Sequence, residues 1–353
     1  MSDPMTNFGN PPAYMGFVGF VRLMPTQPIP GWLQPDNFLI RATSADIRLS
    51  QEITRPDVID SRYDKTVYQL GPKLIEGSMD FPAIYDQIGD TNVFEALYRY
   101  AVTRHPVDGL LTPFDMDIKY AASRGAEQQA EFLYRGCIAN TWEFSVTQGE
   151  VVSCSTSVIG IDRLPSQLQT PARNDNYTDC SNQNYDPNSE LGTTRIVTWA
   201  DSRVRVNPGR GTTVPIDGRF IREFTVSIDN DAERFYTLNR QLFAQAIAPR
   251  KREITGTLVL MGRNPALSQI AETNEEYCNE TSSIDFGYAS KTNATCPGTD
   301  FSVRLPNVIF QIEELALTND LFETTVNWSC LPAAGTGVCD PLLADIGTIP
   351  WDD

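Results

Sequence analysis

The sequence predicts a mainly β chain made of two tandem units of one pattern, each of short strands with a single helix. Three observations lead there. Pro (24) and Gly (23) are spread along the 353 residues, which suits many short strands joined by turns better than long helices. Stretches of apolar/polar alternation, the mark of half-buried strands, recur along the chain. One order of elements, namely strand, long polar excursion, strand, helix and hairpin, is met twice.

In the first half, Ala45–Gln51 alternates and predicts the opening strand. Thr54–Leu70, charged with scattered aromatics, is the excursion. Gly71–Phe81 returns as a strand with its apolar residues on one face and Glu76, Ser78 and Asp80 on the other. Asn92–Arg104 predicts a helix, with Val93, Leu97, Tyr100 and Ala101 on one face and Asn92 as its N-cap. Ile138–Val146 and Val151–Ile161 form a hairpin about Gln148-Gly149, with Trp142, Phe144 and Val146 in alternation.

The second half runs through the same order: Arg222–Ile228, the excursion Asp229–Ala248, and the strand Pro249–Leu260. A helix at Asn264–Glu276 follows, with Pro265 at its first position. The hairpin Val308–Leu317 and Leu321–Trp328 closes it, with a candidate β-bulge where the alternation slips at Glu313-Glu314. Aligned at Ile75 and Ile254, the second strands of the halves match Gly77 with Gly256 and Met79 with Leu258. Pro165–Leu191, rich in Asn, Asp, Gln, Ser and Pro, reads as a linker, dividing the chain into domains 1–164 and 196–353 about a segment 165–195. Asp108–Gln129 and Asn279–Thr299 read as polar surface loops, and the N-terminal 30 residues as an arm onto a neighbouring subunit.

The formal charge of −17 argues against a protein that grips nucleic acid, because phosphate binding needs a Lys/Arg footprint. A like-charged wall is compatible with a polyanion sliding past it. No run reaches the ~20 apolar residues that cross a bilayer. Tyr14–Met24 is too short, and with no basic residues ahead of it does not read as a signal peptide, so synthesis and folding in a cytoplasm are expected.

No catalytic, metal or cofactor site is expected. The single histidine, His105, precedes Pro106 at a helix end, a poor place for a triad base. Asp229–Glu233 lacks the glycine and late glutamate of a calcium loop, and Asn207–Gly211 lacks the Lys-Ser/Thr of a phosphate cradle. Asp115 and Asp117 read as loop charges. The Asn-x-Thr/Ser matches at Asn176, Asn279, Asn293 and Asn327 are chance matches in polar loops. None of the seven cysteines forms a C-x-x-C pair. Two readings stay open: reduced, buried thiols throughout, or disulfides of undetermined pairing among Cys180, Cys278, Cys296, Cys330 and Cys339.

The run Arg219–Leu238 followed by Pro249–Leu260, with its strand ending in Asp229-Asn230, its Tyr236-Thr-Leu and its Glu253-Ile-Thr-Gly-Thr-Leu, resembles the major tail tube proteins of tailed bacteriophages. The resemblance implies two tail-tube-like sandwich domains whose sheets join a ring-shaped barrel, three chains closing a pseudo-hexameric ring. It implies stacked rings around a lumen that holds a tape measure protein and conducts DNA, in a virion tail assembled in the host cytoplasm. Asp46, Glu76, Asp80, Glu143, Glu223 and Glu253 are then candidates for the lumen wall. Arg55, Tyr63, Tyr68, Arg234, Tyr236 and Arg240 are candidates for arms between stacked rings. Implied partners are further copies of the chain, the tape measure, tail terminator and baseplate or tip proteins, a sheath in tails that carry one, and DNA in passage.

The competing reading is a β-sandwich binding module for carbohydrate, or a capsid decoration protein, with Trp32, Trp142, Trp199, Trp328 and Trp351 as a stacking surface. A hydrolase using paired carboxylates ranks below it, since the halves share no acid pair outside strands.

Overall fold

Period-two alternation becomes hydrogen-bonded strand in the computed structural model, which describes residues 20–26, 38–40, 42–54, 69–84, 86–88, 91–104, 109–120, 130–165, 177–179, 196–207, 216–217, 220–238, 242–261, 282–288, 301–312 and 323–330. The first half contributes β1 (Phe20–Pro25), β2 (Phe38–Ile40), β3 (Ser44–Thr54), β4 (Gln69–Pro82), β5 (Asp86–Ile88), β6 (Thr91–Asn92), helix α1 (Val93–Val102), β7 (Phe114–Tyr120), β8 (Ala130–Thr147), β9 (Ser153–Gly160) and β10 (Asp162–Pro165). After the short β11 (Tyr177–Asp179) come β12 (Ser202–Asn207), β13 (Ile216–Asp217), β14 (Ile221–Asp229), β15 (Ala232–Phe235) and β16 (Ala246–Pro249). The chain continues with β17 (Glu253–Met261), β18 (Ser282–Tyr288), β19 (Phe301–Ile312) and β20 (Glu323–Cys330). No described helix is long and apolar enough to cross a membrane.

Two strand paths follow one another through an open sheet. In the first half neighbours run β2-β1-β7-β8-β9-β4-β3; in the second they run β13-β12-β18-β19-β20-β17-β14. The registers correspond as well as the order. Ile47 pairs Gly77 as Val226 pairs Gly256, and Met116 pairs Tyr134 as Ile284 pairs Leu305. One irregularity matches as well, since the β7–β8 register shifts between Phe114 and Met116 and the β18–β19 register between Ser282 and Ile284. At corresponding points β8 and β19 bend through a left-handed residue, Gly136 (φ 59) and Asn307 (φ 60), the residue types that tolerate that conformation best.

Strand β8 changes partners at that bend. Its N-terminal part pairs β7 and β10, and its C-terminal part pairs β9 on one side and β14 of the second half on the other. The β14–β8 ladder joins the halves into one sheet. A single apolar core runs from Val21 to Trp328. Helix α1 is wedged into it: Phe94 meets Trp142 and Phe144 of the first half edge-on, and also Tyr288 and Phe301 of the second, at ring distances of 4.9–5.7 Å. Such edge-to-face contacts add to the burial energy of each ring.

Several sequence expectations need correction. The stretches 108–129 and 279–299, expected as surface loops, each hold a sheet strand, β7 and β18. Asp115 and Asp117 therefore sit on a strand: Asp115 accepts a hydrogen bond from the Gly136 backbone N at 2.8 Å, and Asp117 is fully buried. The segment 165–195 contains β11, and the excursion 229–248 contains the β15–β16 ribbon. The expected helix at 264–276, the bulge at 313–314 and His105 lie outside the described residues.

Candidate assembly interface

Residues paired directly across antiparallel strands share a face of the sheet. Following the pairs from β3 through β4, β9, β8 and β14 to β17 gives Asp46–Ser78–Ser157–Thr141–Asp229–Glu253 as one row. A neighbouring row runs Ser44–Asp80–Ser155–Glu143–Ser227–Thr255 and continues to Ser329 on β20. Glu76 pairs Arg48 on the same face, and Glu223 pairs Thr147. The structure thus places Asp46, Glu76, Asp80, Glu143, Glu223 and Glu253 on one continuous face spanning both halves. The opposite face is the core, carrying Ile47, Ile75, Met79, Trp142, Phe144, Val226, Ile228 and Leu258, all buried.

Hydroxyl groups carpet the space between the carboxylates. Thr141 Oγ1 donates to Ser157 Oγ at 2.6 Å, and the hydroxyl pairs Ser145–Ser153 and Thr225–Thr257 close at 2.7 Å. Ser44 Oγ donates to the Asp80 carboxylate at 2.6 Å. Some acids have local cations: Arg48 forks onto Asp46, Lys251 lies 3.3 Å from Glu253, and Arg234 reaches Glu76 at 3.2 Å. The Arg48–Asp46 and Lys251–Glu253 pairs are solvent-facing, and exposed ion pairs of this kind contribute about 0–1 kcal/mol each, whereas the Arg234 side chain is largely buried.

The joint between the halves is more tightly built. Asn230, fully buried just after β14, donates from Nδ2 to the carbonyls of Ala101 (2.8 Å) and Ala139 (3.2 Å). Arg252 Nε donates to Asn230 Oδ1 at 3.0 Å, and the same guanidinium reaches the Val102 carbonyl at 2.5 Å. Two carbonyls left over at the C-terminus of α1 are satisfied by side chains of the second half, which is how a buried helix end avoids orphaned acceptors. A satellite cluster of Leu111, Ile138 and Ile247, with Ile159, Ile161 and Ala232 packed on it, seals the joint.

Of the arm candidates, Arg234 and Tyr236 lie against β4 of the same chain. Arg234 donates to the Ile75 carbonyl at 2.5 Å, and the Tyr236 hydroxyl donates to the Lys73 carbonyl at 3.4 Å. Burial raises the pKa of the Tyr236 phenol, with Arg234 opposing. Arg55, Tyr63, Tyr68 and Arg240 lie outside the described residues. So do Cys180, Cys278, Cys296 and Cys339. Cys330 is disulfide-bonded, and neither Cys137 nor Cys154 is its partner, since both are free and buried. Burial pushes both of those thiols well above their ordinary pKa, so they are poor nucleophiles.

Trp142 and Trp328 are core residues, which removes them from any stacking surface; Trp199 is exposed, and Trp32 and Trp351 lie outside the described residues. The sequence exposed the carboxylate face through its alternation but not the joint. The one signal for it was the Asp229-Asn230 strand ending, where an amide at the end of a ladder can satisfy the carbonyls of a neighbour.

A family model described as phage tail tube protein matches residues 3–314. No curated protein matches the chain.

Proposed function

The chain belongs to the phage tail tube protein family and is a structural component of the virion tail, and on that premise we propose that it is a duplicated tube subunit, three copies of which close a pseudo-hexameric ring. The units are 1–164 and 196–353, with 165–195 between them. Rings stack into a tube whose lumen holds the tape measure protein during assembly and passes DNA at ejection. Terminator, baseplate or tip proteins, and a sheath in tails that carry one, engage its ends and outer surface. Synthesis takes place in the host cytoplasm. Cys180, Cys278, Cys296, Cys330 and Cys339 supply the disulfides.

The observation that supports this most is the carboxylate-and-hydroxyl face running unbroken across the strands of both halves, on a sheet that ends in open edges. Among the described residues, strand β3 has β4 on one side only, and unpaired edges in soluble proteins are normally covered or paired. Closing the sheet into a barrel pairs its edges and turns the acidic face into a wall that a polyanion slides past. Asp46, Glu76, Asp80, Glu143, Glu223 and Glu253 belong to that wall. The excursions carrying Arg55, Tyr63, Tyr68, Arg234, Tyr236 and Arg240 serve as arms toward the next ring.

Negative-stain electron microscopy of the purified chain across a concentration series tests the proposal. Rings or hollow tubes with three-fold or pseudo-six-fold symmetry are expected. A compact monomer at every concentration, also after addition of preformed tail tips as initiators, would overturn it.

A further inference from the structure

The joint inside the chain has an unoccupied counterpart. Within the chain, β14 pairs β8 from Asp229↔Thr141 to Glu223↔Thr147, on the edge of β8 beyond the last β7 pair. Ala232, cross-strand partner of Pro249, packs against the cluster that holds Ile138, which is 3% exposed.

The displacement that carries Cys137 to Val308 carries Ile138 to Ile309. There the pairing of β18 also stops at Val308, so among the described residues Ile309–Ile312 have only β20 beside them. Ile309 is 44% exposed. The displacement that carries Gly77 to Gly256 carries the pair Ile53↔Leu70 to the pair Ala232↔Pro249. Ile53 and Leu70 are 54% and 44% exposed, at the far end of the open β3 edge.

We infer that the next copy of this chain closes the site: its β3 meets the β19 edge at Ile309–Ile312 in the way β14 adds to β8, and its Ile53 and Leu70 cover Ile309. This rests on the ring reading above and specifies which surfaces meet. The occupant is a second copy because the donor that fits the β19 edge is the N-terminal half, and within one chain that half is already joined to the other side of the second half. The contact is heterologous, so the donor and acceptor surfaces differ and every copy carries one of each. Exposed aliphatic residues beside an unpaired edge are a liability in a monomer and the expected composition of a strand-addition joint.

The test uses the full chain and two variants, an acceptor variant Ile309→Asp and a donor variant Ile53→Asp with Leu70→Asp. All three positions are solvent-exposed, and an unchanged thermal midpoint identifies folded protein; Ile309→Ser serves where the aspartate unfolds the chain. Each variant alone is expected to need at least about tenfold more protein to assemble. Mixed one to one, they retain one sound joint, so analytical ultracentrifugation should show a dimer that grows no further. If folded variants assemble like the parent chain, or the mixture stays monomeric while the parent forms rings, the joint is wrong and the ring reading stands. A parent chain that never associates overturns both.

Discussion

The two halves run the same strand path around different interiors. In the first half, Gly77 is flanked across the sheet by Ile47 and Val158, and Val158 by Ala139. In the second half the corresponding row is Val226, Gly256, Trp328 and Phe310, so an indole and a phenyl ring stand where the first half has a valine and an alanine. Trp328 stacks on Phe224 at 5.9 Å, and a Cβ on Gly256 would come within 2.3 Å of the indole. In the first half the largest rings are elsewhere: Trp142 stacks on Phe144 at 6.0 Å and meets Tyr98 of helix α1 edge-on at 5.0 Å. Strand order and register are set by backbone pairing and by which face is apolar; the volume of the interior is set locally. Two units can therefore keep nearly the same registers while their side chains diverge; the β8–β9 ladder shifts between Ala139 and Thr141 where β19–β20 does not.

The strongest way to break the comparison is to remove the ring that both interiors share. Phe94 belongs to the first half by sequence, yet packs on both. Phe94→Ala is expected to cost about 4 kcal/mol in chemical denaturation, the usual range for a buried phenylalanine. A single cooperative transition shifted to lower denaturant is the expected trace. Two separated transitions in the parent chain would show that the halves do not share a core.

Much of this architecture was legible in the sequence for a physical reason. Ala45–Gln51, Gly71–Phe81 and Ile138–Ile161 carry one polar and one apolar face, so alternation alone marks them. The strands that escaped, β7 and β18, alternate too, through Phe114, Met116 and Ile118 or Ile284, Phe286 and Tyr288. They are short and embedded in polar sequence, and both of their faces are buried: Asp117 and Asp285 lie inside as well. An acidic residue between apolar ones reads as a solvent face, and at these two positions that inference fails. The joint between the halves was illegible because its parts come from residues 101, 139, 230 and 252, which no local pattern brings together.

A second prediction compares the closed joint with the open one. The displacement that carries Gly77 to Gly256 carries Gln51 to Asn230. Asn230 is buried among three hydrogen-bonded partners, whereas Gln51, half-buried, reaches only the Gly71 carbonyl at 3.1 Å. Asn230→Ala strands two carbonyls and should cost about 3 kcal/mol, against about 0.5 kcal/mol for Gln51→Ala in the unassembled chain. Urea titration of both variants measures the difference. Equal losses would mean that the amide of Asn230 is not what holds the halves together.

The smallest effect concerns Asp285, 3% exposed between β12 and β19. Burial raises its carboxyl pKa above the ordinary value of 3.8; Arg304, 3.3 Å away, a hydrogen bond from Asn207 at 3.1 Å, and Arg205 oppose that rise without cancelling it. A raised folded pKa means that the fold favours the protonated acid. Its stabilising contribution is present below pH 3.8 and is lost as pH rises through the folded value, leaving a cost at neutrality. Asp285→Asn keeps an oxygen to accept from Asn207 and removes the charge, and the half-exposed Arg304 is left to solvent. The variant should therefore melt higher than the parent at pH 7, with the gap closing as the pH is lowered toward 3.8. If the amide instead lowers the midpoint equally at both ends of that range, the ion pair with Arg304 outweighs the burial penalty, and the second half depends on a charge at the position that Leu133 takes in the first half, across the same strand pair.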